Sequence, residues 1–277
     1  MIPAFTALGS GEVVLMLHGI GGGHLAFAPQ VETLAGSGYR AVAWDMPGYG
    51  HSAPIEPYTF KGLAEACIRL IEALMARDDI ERRRTSPTRA GVVLVGHSMG
   101  GMVAQEVVAR RPELVRRLVL CGTSPAFGRR PDGSVSDTFQ REFVNQRTAP
   151  LDAGQTMADL AQKLVPQMIG PGALPEGVAL AIHCMSQIPP GTYRRALEAL
   201  VTFDRGADLA RIRVPTLVLA GEFDRTAPPS VMKRMADAIP GSTYLELKGV
   251  GHLQPLEAPE DFDGALLNFL NLPDELT

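Results

Sequence analysis

The chain has 277 residues, 45% hydrophobic and 20% charged, an ordinary globular balance with enough apolar side chains for a sizeable core. Its net charge is −4 and its longest basic block, Arg82-Arg83-Arg84, is flanked by Asp78, Asp79 and Glu81. That excludes the concentrated positive field of a nucleic-acid binder, and no apolar run approaches the ~18 residues of a membrane span.

A first buried strand is predicted over Glu12 to Leu17, and it runs into His18-Gly19-Ile20-Gly21-Gly22-Gly23. Before it, only a short strand near Phe5–Leu8 is expected. A helix follows from Phe27 to Ala35, with Val31, Leu34 and Ala35 at helical spacing, and Gly36-Ser37-Gly38 stops it. Tyr39 to Trp44 reads as a second strand, and Asp45 to Gly50 as a turn. Thr59 to Ala76 is an amphipathic helix with Leu63, Cys67, Leu70, Ile71 and Leu74 on one face. Asp78 to Arg89 is polar and reads as an exposed loop. Gly91 to Val95 is a third strand, followed by Gly96-His97-Ser98-Met99-Gly100-Gly101 and a helix to Arg110 that Pro112 ends. Leu114 to Cys121 and Val214 to Ala220 are further strands. Pro228 to Ile239 is a helix, Thr243 to Leu247 the last strand and Pro259 to Leu270 the last helix.

Continuous Val/Leu runs, rather than in-out alternation, mean strands covered on both faces. The expected class is therefore α/β, with a mostly parallel sheet of about six to eight strands flanked by helices. The interval 123–212 departs from this pattern. It carries four helical patterns, near Ser136–Arg147, Thr156–Met168, Glu176–Ser186 and Thr192–Asp204, separated at Ala149-Pro150, Gly170-Pro171-Gly172 and Pro189-Pro190-Gly191. Residues 1–122 and 213–277 are thus expected to form one core, with 123–212 a helical cap.

Gly96-His97-Ser98-Met99-Gly100 matches G-x-S-x-G. In that motif a sharp strand-to-helix turn holds a nucleophilic serine in a strained conformation. Small residues two positions either side let neighbouring elements approach. The serine then sits at a helix N-terminus, which favours developing negative charge. Here the motif lies between a buried strand and an amphipathic helix, the context it requires. The Gly21-Gly22-Gly23 run has no following Lys-Ser/Thr and is not G-x-G-x-x-G, so it gives no nucleotide site.

Together with His18-Gly19-Ile20-Gly21, Gly221-Glu222-Phe223-Asp224 and Gly251-His252, that motif resembles the α/β-hydrolase superfamily in order and spacing, from Glu12 to Leu270. The resemblance implies an α/β-hydrolase fold and a serine hydrolase. Ser98 would be the nucleophile, and His252, in a glycine-rich loop free to bring its ring to Ser98, the base. The acid falls at Asp224, with Glu222 its nearest rival, and the order Ser98, Asp224, His252 is the one this fold uses. Backbone N–H groups of Ile20 and Met99 would form the oxyanion hole. Among the other histidines, His18 takes a structural role and His97 points away along the turn. His24 and His51 lie on loops near the pocket mouth, and His183 in the cap. Asp45 ties down the turn at Pro47–Gly50. Substrate contacts are assigned to Gly19, His24, Phe127, Met157 and Met185, with Met168 a further candidate.

No H-E-x-x-H and no Cys pair at ligand spacing is present, so no metal and no cofactor is expected. Cys67, Cys121 and Cys184 are widely spaced and odd in number, and the N-terminus lacks a charged segment followed by a long apolar one. Reduced, buried thiols in a cytoplasmic monomer or homodimer fit these features.

The serine argues against the epoxide and haloalkane chemistry of relatives with an aspartate nucleophile. Similarity is greatest to small bacterial carboxylesterases and enol-lactonases, so the expected substrate is a small, partly apolar ester or lactone. Three alternatives stay open: a C–C hydrolase of ring-fission products, a cofactor-free perhydrolase or haloperoxidase, and a ligand receptor on a hydrolase scaffold.

Overall fold

A computed structural model describes residues 1–82, 91–128 and 136–273. Seven strands form one sheet: β1 (Phe5–Leu8), β2 (Val13–Leu17), β3 (Arg40–Trp44), β4 (Val92–His97), β5 (Val115–Cys121), β6 (Thr216–Gly221) and β7 (Thr243–Leu247). Their order is β1-β3-β2-β4-β5-β6-β7. Only β1 runs antiparallel, against β3; every other pair is parallel.

The inner strands β2 to β6 are apolar on both faces because both are covered. Val14, Met16, Val93, Val95, Leu217 and Leu219 face a core layer shared with α1 (Ala28–Gly36) and α10 (Pro259–Leu270). The alternate residues Leu15, Leu17, Leu94, Leu118 and Val218 face α2 (Phe60–Arg82), α3 (Met99–Arg110) and α8 (Pro229–Ala238). This period of two within unbroken apolar runs is what a doubly covered parallel sheet requires.

From β2 the chain winds toward β3, and from β4 it winds the other way, toward β5. The loops after β2 and β4 therefore part at a switch point, where open α/β sheets leave a crevice. Register aligns the two ends: Leu17 lies opposite Gly96. The His18-Gly19 loop and the Ser98 turn thus emerge side by side.

Between β5 and β6 lie α4 (Asp137–Asp152), α5 (Met157–Leu164), α6 (Pro175–Ser186) and α7 (Pro190–Leu200). Thr156 opens α5 with a capping box: its Oγ1 accepts from the Asp159 N–H at 3.2 Å, and Asp159 Oδ2 accepts from the Thr156 N–H at 2.8 Å.

The structure corrects three local expectations. Pro150 does not end α4, which runs on to Asp152; a proline so near the C-terminus removes one intrahelical donor while the Ala153 N–H still reaches the Ala149 carbonyl. The helix at Thr156 stops at Leu164 and tightens into a 3-10 turn, Val165–Gln167, where Pro166 cannot donate. Helix α2 continues past Ala76 to Arg82, through part of the segment expected to be a loop, because no Gly or Pro interrupts it there. Residues 83–89 of that segment, Arg83 and Arg84 among them, lie outside the described residues.

Candidate active site

The turn from β4 into α3 holds Ser98 at φ 53°, ψ −121°, and Ser98 is the one non-glycine with positive φ among the described residues. Such a conformation costs about 1–3 kcal/mol and persists only where neighbours impose it. Here they do. The Ser98 N–H donates to the Cys121 carbonyl at 3.0 Å, and Thr123 Oγ1 donates to the Ser98 carbonyl at 2.7 Å. The flanking glycines let backbones cross: a Cβ on Gly100 would lie 2.1 Å from the Leu17 carbonyl oxygen, and one on Gly96 2.5 Å from the Gly101 Cα.

His252 follows β7, and its Nε2 lies 3.0 Å from Ser98 Oγ. Its Nδ1 lies 2.8 Å from Asp224 Oδ2. A carboxylate only accepts, so the Nδ1–H donates to Asp224 and Nε2 is left to accept from the serine hydroxyl. Asp224 stands just beyond β6. Its Oδ1 accepts the N–H groups of Thr226 at 2.7 Å and Ala227 at 2.9 Å. Burial works against its charge, but His252 and these N–H groups hold the carboxyl below its usual range. Burial likewise opposes a charged His252, yet the carboxylate of Asp224, and then Glu257, raise its imidazole above the ordinary value. The rival acid, Glu222, is exposed and accepts from the Gly249 N–H at 2.9 Å, away from His252.

The loop after β2 is fixed from below. His18 is fully buried: its Nδ1–H donates to the Gly19 carbonyl at 2.7 Å and its Nε2 accepts the Met46 N–H at 3.0 Å. Both bonds need a neutral ring, and burial lowers His18 to about 4. Tyr49 donates its hydroxyl to the Ile20 carbonyl at 3.0 Å. A Cβ on Gly19 would lie 2.8 Å from Ser98 Cβ, so this loop runs directly past the serine. The N–H of Met99 opens α3, where no intrahelical acceptor exists for it. The N–H of Ile20 donates to no protein acceptor among the described residues.

Ser98 and His252 line a cavity of about 1400 Å³ to which helices between β5 and β6 also contribute, and Gly19, Phe127, Met168 and Met185 line it too. His24 and Met157, expected as substrate contacts, are absent from its lining. His24 is held by Asp45, whose Oδ1 accepts its backbone N–H and meets its Nδ1, both at 3.0 Å. Met157 is 4% exposed at the start of α5, packed into the apolar contact between cap and core. Asp45 does hold the turn, accepting from the His51 N–H at 3.3 Å, and it also ties that turn to the His24 loop.

His97 does not point away. It lines the cavity, and its Nε2–H donates to the His252 carbonyl at 2.7 Å. Burial and then the neighbouring His252 depress it to about 3.

Nor is the His252 loop free. Its own N–H donates to the Met168 carbonyl at 2.6 Å. Glu257, unnoticed in the sequence, accepts the N–H groups on either side, Gly251 at 2.9 Å and Leu253 at 2.8 Å, and also that of Gly170 at 2.7 Å. The available signal was a lone acid in the largely apolar stretch Leu253 to Pro259, five residues after the histidine. Such a carboxylate is buried only if it is satisfied. Among the described residues, no cluster of side chains fits a metal ion and no helix is long and apolar enough to cross a membrane.

Residues 12–259 match the family described as alpha/beta hydrolase fold. RutD of Caulobacter sp. strain K31, which carries the name of a carbamate hydrolase, is 29% identical over 264 residues, spanning 94% of this chain and 91% of its own. BpoC of Mycobacterium tuberculosis, which carries the name of a non-heme bromoperoxidase, is 30% identical over 277 residues, spanning 96% of each. A solved thermophilic esterase from Thermogutta terrifontis superposes with a TM-score of 0.82 at 26% identity, covering 96% of this chain and 92% of that one.

Proposed function

The chain belongs to the α/β-hydrolase fold family, and on that premise we propose that it is a serine hydrolase cleaving an ester or lactone of a small, partly apolar acyl compound through an acyl-enzyme. The observation that carries this reading is the chain of contacts from Ser98 Oγ through His252 to Asp224, 3.0 and 2.8 Å long. In the proposed reaction His252 Nε2 takes the hydroxyl proton as Ser98 Oγ attacks the substrate carbonyl carbon. Asp224 orients the ring and stabilises the imidazolium. The oxyanion is held by the N–H groups of Ile20 and Met99, each of which would supply roughly 3–4 kcal/mol of transition-state stabilisation. His252 then gives its proton to the leaving oxygen. It next activates a water, which adds to the acyl carbon and releases the acid from Ser98. No step calls for a metal or a cofactor.

The 123–212 segment acts in this reading as a cap that selects the acyl compound. Phe127, Met168 and Met185 supply apolar and polarisable surface beside Ser98. A second reading rests on the 30% identity with BpoC. The same acyl-enzyme would then pass its acyl group to hydrogen peroxide in place of water and release a peracid.

Fluorophosphonate labelling followed by a panel of p-nitrophenyl esters and lactones, with and without peroxide, tests both readings. The reagent should modify Ser98, and Ser98→Ala should lower turnover about 10⁴–10⁶-fold. Near-wild-type turnover in that variant, or no label on Ser98, rejects the serine-hydrolase reading.

A further inference from the structure

The charged side chains that line the cavity are one-signed. They are Arg147, Arg225 and Arg234, and among the described residues no aspartate or glutamate joins them. This happens in a chain with 30 acidic and 26 basic residues, so the overall composition runs the other way. Arg225 and Arg234 are exposed, but Arg147, on α4, is only half-exposed. Its guanidinium carbon stacks 3.8 Å from the centroid of the Phe143 ring. Phe143 in turn packs edge-on against Phe127 at 4.6 Å between centroids, so the aromatic support under the cation is itself held. Arg147 pairs with no carboxylate of the described residues. Among the described residues Tyr193 is the ionisable neighbour that acts on it, and burial lowers the pKa of the guanidinium. Stacking covers one face of the planar group and leaves the donors at its edge without an anion among the described residues.

We propose that Arg147 is the anion-binding group of this cavity and that the substrate is an ester or lactone bearing a carboxylate away from the bond that breaks. The geometry points to a carboxylate in particular. The planar fork of a guanidinium matches two carboxylate oxygens, and a partly desolvated charge-assisted pair is the strong kind of hydrogen bond. One half-buried cation neutralises one negative charge, whereas a phosphate monoester would bring nearly two. The exposed Arg225 and Arg234 add a positive field at the mouth that draws anions inward. The proposal deepens the hydrolase reading and rests on it for the identity of the scissile bond.

Binding and turnover are measured separately so that the two readings fail separately. The half methyl esters of succinate, glutarate and adipate are titrated calorimetrically into full-length Ser98→Ala protein, against the corresponding dimethyl esters. The best half ester should bind roughly tenfold or more tightly than its dimethyl counterpart, and the Arg147→Met change should bring that ratio close to one. Arg147→Lys, which keeps the charge but loses the fork, should restore part of the ratio. In the Ser98 protein, the kcat/KM ratio of the mono-p-nitrophenyl dicarboxylates to their methyl esters should fall in parallel. Equal binding of half and dimethyl esters, or a preference that survives Arg147→Met, overturns the proposal. A role of Arg147 in packing alone would weaken both ester classes alike and leave the ratio unchanged, which also overturns it. If Ser98 takes no fluorophosphonate while half esters still bind through Arg147, the hydrolase reading falls and the anion site stands.

Discussion

At Ser98 the backbone accepts strain so that a hydroxyl can stand at a helix N-terminus within reach of an imidazole whose tautomer Asp224 dictates. As the proposed base that imidazole would act only when neutral, and Asp224 and Glu257 raise its pKa despite burial. The acid limb of kcat/KM in the free enzyme should therefore lie above the ordinary histidine value of about 6.5, with activity lost as the pH falls through it. A pH–rate profile with a neutral ester checks this, and a limb at or below that ordinary value contradicts it. His97 adds no second titration in that range, because its buried ring stays neutral down to about 3. That Ser98, Asp224 and His252 come together was legible through the resemblance of the motifs that carry them, each of which follows a strand of the sheet. His97 and Glu257 were not. A side chain next to a motif can turn either way, and a carboxylate looks exposed by default until its buried donors are known.

Elements differ in how plainly they announce themselves. The inner strands were legible as runs covered on both faces. The helices between β5 and β6 were legible as periodic segments between Gly and Pro, although α4 runs on through Pro150. What joins the elements was not legible. Glu257, on the short helix α9 (Gln254–Glu257), gathers three N–H groups from the loop around His252 and from Gly170. In Glu257→Gln an amide NH2 would face at least one of those donors. The loss should be about 2–3 kcal/mol in unfolding free energy. Removal of the charge should also move the acid limb of kcat/KM to lower pH, since Glu257 raises His252. Denaturant unfolding and the pH–rate profile together test the role, and an unmoved limb would mean that Glu257 is a packing residue only.

For the whole molecule, the two buried histidines whose pKa burial lowers, His18 and His97, link stability to acidity. Both are held below the unfolded value of about 6.5, at about 4 and about 3. The unfolded chain therefore binds protons that the folded one refuses, and stability falls as the pH drops from about 6.5 toward those values. By pH 5 each contributes a loss on the order of 2 kcal/mol relative to pH 7.5. Burial-raised carboxyls at Glu257 and Asp263 offset part of this at the lower end of the window. Denaturation midpoints at pH 7.5, 6.5 and 5.0 measure the slope, and a midpoint that does not move over this interval contradicts it. Exchanging His18 for Asn should flatten the slope.

The bonds from Met168 and Gly170 to the His252 loop reach beyond rigidity. They tie the segment at 168–170, directly and through Glu257, to the residue proposed as the base, so a substitution that shifts that stretch of the cavity wall should be felt at His252 as well.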